Sequence, residues 1–144
     1  MDHKLADFVN SLSKVEELPN VFNQYSENIP ENTIRRHNLL LYLKQMSVVR
    51  PKIMLVGEAP GFHGCRFTGV PFTSEYILIN GFSEINLFGI QQGYLKTKEL
   101  MKIKKEQSAT IVWETLLNNR FLPLMWNAFP FHPFKEGNPT KNRT

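Results

Sequence analysis

The sequence predicts an α/β fold, a three-layer sandwich with a central parallel sheet, on three observations. Lys52-Ile53-Met54-Leu55-Val56-Gly57 is a short continuous apolar run stopped by glycine, the pattern of a strand buried on both faces of a parallel sheet. Leu122 to Trp126 is a second such run. Between them Ala109, Val112, Trp113, Leu116 and Leu117 recur at helical spacing behind Ser108, a candidate N-cap. Strand, loop, helix, strand is the order of an α/β unit, and such sheets bind ligands beyond the carboxyl ends of their strands.

Two helices are expected ahead of this unit. Leu5, Phe8, Val9, Leu12 and Val15 predict one over 5–17, ended by Leu18-Pro19. Leu39, Leu43 and Met46 predict a second over 31–46, with Arg35 and Arg36 on its polar side. The strands are expected near 52–57 and 122–127 and the third helix near 109–118. Glu58 to Glu75 reads as a loop rich in Gly and Pro, and 76–106 as an irregular excursion through Gly81, Gly89 and Gly93. Asn127 to Pro133 reads as a second loop, followed by a polar tail. One domain is expected over 1–144, with N-terminal helices in 1–50 and the α/β part in 51–144.

Composition narrows the class. Hydrophobic residues make up 42% and charged ones 21%, which excludes disordered, collagen-like and coiled-coil chains. The apolar runs at Leu39 to Leu43 and Ile53 to Val56 fall short of the roughly 18 residues of a membrane span, and the N-terminus lacks a signal-peptide core. A single cysteine, Cys65, excludes an intrachain disulfide. A soluble, cytoplasmic protein with no membrane partner is therefore expected. Residues 1–49 carry a net charge of −1 and residues 50–144 one of +5, so the basic surplus belongs to the later part. Lys96, Lys98, Lys102, Lys104 and Lys105 crowd one stretch with only Glu99 among them. Such a run reads either as a phosphate-contacting surface or as a solvated face.

Both strands deliver their following loops to one edge of the sheet. Phe62, Phe67, Phe72, Phe129, Phe131 and Phe134 place six of the eleven phenylalanines in those loops. Loops are ordinarily polar, so the cluster either forms a satellite core or lines a pocket for a flat ligand. Composition leaves the two open.

The segment from Gly57 to Glu75, with its G-E-A-P-G start at 57–61 and T-G-V-P-F continuation at 68–72, resembles the first signature of the uracil-DNA glycosylase superfamily. Asn127-Ala128-Phe129-Pro130-Phe131-His132-Pro133 resembles the second, in which an asparagine ends a buried strand. The resemblance covers roughly residues 51–143. It implies hydrolysis of the N-glycosidic bond of uracil or a related damaged base in DNA, a base-excision repair role, and a nucleoid-associated location.

The resemblance also assigns roles. Phe72 would stack on the flipped base, and Asn127 would read its edge, its amide accepting from uracil N3–H and donating to O4. Cytosine reverses the polarity at those two atoms. Glu58 would position water and balance the sugar cation; otherwise it is a loop carboxylate paired with Arg66. Backbone amides from Ala59 to Gly64 would face uracil O2, and His63 would touch the base or a phosphate. The five lysines from Lys96 to Lys105 would contact DNA. Cys65 reads as packing. The iron-sulfur type of these enzymes uses four cysteines, and Phe131 stands where one ligand would be, so no cluster, metal or organic cofactor is expected. Ala59 stands where many members carry Asp or Asn.

Family chains continue past the second signature to a His-containing loop that wedges into DNA. With Asn142-Arg143 resembling the middle of a family segment, the expectation is a C-terminally truncated chain of weak or no activity. The competing expectations are a non-catalytic DNA or nucleobase-binding module that retains the pocket, and a scaffold whose aromatic loops form only core. Oligomeric state is left open.

Overall fold

The computed structural model describes residues 2–143. It is a mixed α/β structure with helices α1 (Asp2–Ser13), α2 (Asn32–Val49), α3 (Cys65–Thr68), α4 (Glu75–Asn80) and α5 (Gln107–Asn118). The strands are β1 (Val21–Phe22), β2 (Met54–Gly57), β3 (Leu124–Asn127), β4 (His132–Lys135) and β5 (Asn138–Asn142). β2 and β3 pair in parallel, Met54 opposite Leu124 and Gly57 opposite Asn127, so both strands end at the same level. A second sheet, in the order β1-β4-β5, is antiparallel throughout. No helix among the described residues is long and apolar enough to cross a membrane.

The core forms where α2, α4 and α5 bring their apolar stripes together. Leu39, Tyr42, Leu78, Phe88, Tyr94, Trp113 and Met125 are all at most 1% exposed. Phe88 is the hub: Tyr42 stacks on it at 6.0 Å between centroids, and Trp113 and Tyr94 meet it edge-on, both at 5.3 Å. The Tyr42 hydroxyl accepts from the Met125 amide at 2.8 Å, fixing α2 to β3. On the neighbouring residue, Trp126 packs against Phe8 of α1 at 5.4 Å. Adjacent strand residues point to opposite faces, so β3 is held from two directions.

Several sequence expectations are corrected. β2 is not buried on both faces: Ile53, Met54, Leu55 and Val56 are 37% to 55% exposed. Its apolar run satisfies one neighbour, β3, and its other edge is unpaired among the described residues. Arg35 is not on a polar face but fully buried. Its Nη1 donates to Asn32 Oδ1 at 2.5 Å, its Nε to the Phe67 carbonyl at 3.1 Å, and its Nη2 to Glu99 Oε1 at 2.7 Å. The first two helices run 2–13 and 32–49, not 5–17 and 31–46. Glu106, not Ser108, caps α5, its carboxylate accepting from the Ser108 and Ala109 amides.

The supposed loop and polar tail after Asn127 contain a hairpin. β4 and β5 turn through Glu136-Gly137, where Gly137 has φ +70°, a backbone that glycine adopts without steric cost. Pro133 and Pro139 obscure both strands in the sequence. The excursion at 76–106 holds α4 and two 3₁₀ turns, Ser83–Ile85 and Ile90–Gln92.

Candidate functional site

A cleft of about 240 Å³ opens at the carboxyl ends of β2 and β3. Its wall includes Glu58, Ala59, Gly61, Phe72, Glu106, Asn127 and Asn142. Pockets for drug-sized ligands start at roughly 300 Å³, so this cleft is sized for a smaller group.

Gly57 explains how two side chains reach the same point. A Cβ built on it would stand 2.7 Å from Phe72 Cζ and 2.8 Å from Asn127 Oδ1. Both groups thus occupy room that any other residue would take, and they meet at the head of β2. The Asn127 side chain is 5% exposed and makes no hydrogen bond among the described residues. The fully buried side-chain polar atoms without a partner among these residues are Gln24 Oε1, Glu75 Oε1 and Thr97 Oγ1, so the Asn127 amide still meets water in the cleft, where a ligand can take that water's place.

Phe72 carries φ +55°, a left-handed backbone that is uncommon for an aromatic residue. Its peptide is held there by Trp113, whose indole N–H donates to the Phe72 carbonyl at 2.8 Å. Upstream, Gly69 has φ +78° and passes so close to the Arg35 carbonyl that a Cβ would overlap it. Thr68 and Thr73 join by their hydroxyls at 2.7 Å, and Thr73 also donates to the Val70 carbonyl at 2.7 Å. Ser74 then caps α4. Threonine and serine at these positions tie the loop locally, which keeps the Phe72 ring over Gly57.

The Glu58 carboxylate is exposed at the cleft, and its partner is not Arg66. Arg66 instead bonds Glu99, and its guanidinium lies over the rings of Phe22, Phe67 and Phe62 at 4.3, 4.6 and 5.1 Å. Burial raises the Glu99 carboxyl, but the bonds from Arg35 and Arg66 outweigh it and hold the group below its ordinary value. In the loop, the Phe62 amide donates to Asn142 Oδ1 at 2.9 Å and the Gly64 amide to the Gly61 carbonyl at 3.2 Å. The amides of Ala59 and Gly61, both at the cleft, donate to nothing among the described residues.

The aromatic loops divide between the two readings. Phe131, edge-on to Tyr25 and Phe129, joins the main core, and buried Phe67 packs edge-on against Phe62. Phe72 alone of the six lines the cleft. His63 lies outside it, exposed, beside Phe62 in an adjoining groove. Cys65 belongs to the cleft wall but is buried against Tyr25 and Gln24, and burial pushes its thiol up to about 12, which disfavours the thiolate.

The lysine stretch is not uniform. Lys96 is turned inward, donating to the Thr97 and Leu100 carbonyls at 2.9 and 2.5 Å and standing 3.7 Å from the buried Glu75. These contacts set Lys96 apart from the other four lysines of the run. Lys98, Lys102, Lys104 and Lys105 are exposed, Lys105 over the Tyr76 ring at 4.0 Å.

Four contributors escaped the sequence reading: Gly57 as clearance, Trp113 as anchor, and Glu106 and Asn142 as wall. Trp113 read as an ordinary core position, and only the Asn142-Arg143 pair carried a signal. Among the described residues no group of three His, Cys, Asp or Glu side chains could hold a metal ion. No family model, curated protein or solved structure matches this chain.

Proposed function

We propose that the protein is a DNA repair glycosylase that hydrolyses the N-glycosidic bond of uracil or a related damaged base, acting on a base flipped into the cleft at Gly57. The observation that carries this reading is the meeting of the Asn127 amide and the Phe72 ring at Gly57 on the wall of the cleft. A stacking face and an edge reader at one point are what recognition of a single base requires. The resemblance of residues 57–75 and 127–133 to the uracil-DNA glycosylase signatures supports the same reading.

In this mechanism Phe72 stacks on the base, and Asn127 accepts from N3–H and donates to O4. As the bond from C1′ to N1 lengthens, positive charge grows on the sugar and negative charge on the base. Glu58 orients a water, takes its proton as the water oxygen bonds C1′, and balances the cation. The free amides of Ala59 and Gly61 donate to O2 of the departing base, which leaves as the anion and then acquires a proton. Glu106 and Asn142 close the wall. Lys98, Lys102, Lys104 and Lys105 add a cationic field that attracts DNA.

The finer architecture belongs to the same proposal: β2 and β3 as the centre of a parallel sheet in a three-layer sandwich, supported by α1 on Trp126 and the main core on Met125. So does association with the nucleoid. The second reading, a base-binding module without hydrolysis, is favoured by the exposure of Glu58, which leaves the carboxylate in water. Single-turnover release of free uracil from a uracil-containing single strand decides between them. Release supports the glycosylase; tight binding competed by free uracil, without release, establishes the module instead.

A further inference from the structure

A second cleft, about 360 Å³, adjoins the first and shares Gly61, Glu106 and Asn142 with it. The rest of its wall is Phe62, His63, Lys135, Thr140 and Lys141. Two cationic side chains from one hairpin thus face the same space, next to the pocket assigned to the base. We propose that Lys135 and Lys141 form a phosphate subsite, which binds the phosphodiester beside the flipped nucleotide and so sets its register in the base pocket. The inference rests on the base-pocket reading for its ligand and deepens it by assigning the backbone contact.

Three features support the assignment. First, the hairpin is fixed to the base pocket and not merely near it. Asn142 Oδ1 accepts from the Phe62 amide at 2.9 Å, and His132 Nδ1 bonds the Pro60 carbonyl at 2.8 Å. β4 also pairs with β1, and the Phe134 amide donates to the Asn20 carbonyl at 2.9 Å. A phosphate held here therefore has a defined distance to the base. Backbone contacts of this kind position a nucleic acid without reading its sequence.

Second, the ammonium groups are available. Neither Lys135 nor Lys141 has an ion-pair partner among the described residues, whereas Lys96 is bonded inward. Third, the one carboxylate in the groove is already engaged, since Glu106 accepts from the Ser108 and Ala109 amides at 3.1 and 2.6 Å. His63 adds an imidazole, whereas the Thr140 hydroxyl donates to Asn138 Oδ1 at 2.8 Å and serves as wall. Phosphate contacts are thereby concentrated at the hairpin, and the exposed lysines at 98–105 contribute a diffuse field.

The test compares two double variants, Lys135→Ala with Lys141→Ala, and Lys98→Ala with Lys102→Ala. Binding to a fluorescent uracil-containing single strand is measured across a salt series, together with competition by free uracil. The hairpin variant is expected to flatten the log-log salt slope by about 1 to 2, with free uracil competing as well as against the unmodified protein. The second variant is expected to change the slope by less than half as much. Lys135→Arg with Lys141→Arg should restore it, since guanidinium also binds phosphate. An unchanged slope in the hairpin variant, with uracil still competing, overturns the subsite and leaves the base reading intact. A flattened slope without uracil competition against any protein supports the phosphate site and overturns the base pocket. Absence of binding by the unmodified protein overturns both.

Discussion

The ring of Phe72 and the amide of Asn127 converge on the position that a side chain at Gly57 would fill, 2.7 and 2.8 Å from where its Cβ would stand. They come from different segments: Asn127 ends β3, and Phe72 hangs in a loop whose peptide Trp113 pins from α5. Their meeting depends on glycine at the end of β2 and on parallel pairing that brings Gly57 level with Asn127.

Gly57→Ala is therefore expected to abolish base binding while leaving the fold in place. β2 is an extended strand that accepts alanine, so the effect is steric: the new methyl displaces the Phe72 ring or the Asn127 amide. Phe72→Ala, which removes only the stack, should weaken binding of a uracil-containing strand by about 1–3 kcal/mol. Anisotropy titrations paired with thermal melts check both. Full binding by Gly57→Ala would mean that the two groups do not address one ligand.

The convergence was partly legible in the sequence. Phe72 and Asn127 stood in the two segments singled out by resemblance, and the glycine stop after Val56 marked the strand end. The clearance at Gly57 was not legible, because it depends on how close two distant segments come. Burial failed where it depended on missing neighbours: Ile53 to Val56 have the composition of a central strand but only β3 beside them. Arg35 failed for the opposite reason, since helical periodicity assigns a charged residue to the outside unless partners such as Asn32, Glu99 and the Phe67 carbonyl are known. The hairpin at 132–142 was hidden by its prolines and by polar residues in a fully exposed β5.

Glu58→Gln should lower the rate of uracil release by roughly 10²-fold or more, because an amide neither accepts the water proton nor balances the sugar cation. Binding should persist, since the amide keeps the shape of the carboxylate and removes a negative charge near phosphate. Single-turnover kinetics separate the two quantities. An unaffected rate would remove Glu58 from the water-activating role.

Glu99 bridges Arg35 and Arg66 and so joins α2, α3 and the lysine segment. Glu99→Gln leaves Arg35 fully buried without its counter-charge, and removing one member of a buried pair costs about 3–5 kcal/mol. The Glu99 side chain is 28% exposed, so water screens much of this and the expected loss lies between the exposed and buried cases, about 1–3 kcal/mol. Denaturant unfolding measures it. A loss below about 1 kcal/mol would show that solvent already compensates Arg35.

His132 makes stability and site geometry sensitive to mild acid. The ring is fully buried, with Nδ1 at 2.8 Å from the Pro60 carbonyl and Nε2 at 3.4 Å from the Pro139 carbonyl. Burial lowers its pKa from the ordinary 6.5, the two carbonyls oppose that shift, and Arg66 adds to it. A folded-state pKa below the unfolded one means that the unfolded chain binds more protons between the two values. Stability is then complete above 6.5 and declines as pH falls from there through the folded value. Glu99 acts later: its depressed pKa keeps its contribution complete above 4.5 and loses it below. Urea unfolding at a series of pH values should therefore show a first decline beginning near 6.5 and a second below 4.5. His132→Gln should erase the first and leave the second, and Glu99→Gln should do the reverse. Because Pro60 precedes the free Gly61 amide, loss of its His132 bond should also weaken base binding at all pH values. If His132→Gln retains the decline near 6.5, the titrating group lies elsewhere and the buried imidazole is not the acid-sensitive element.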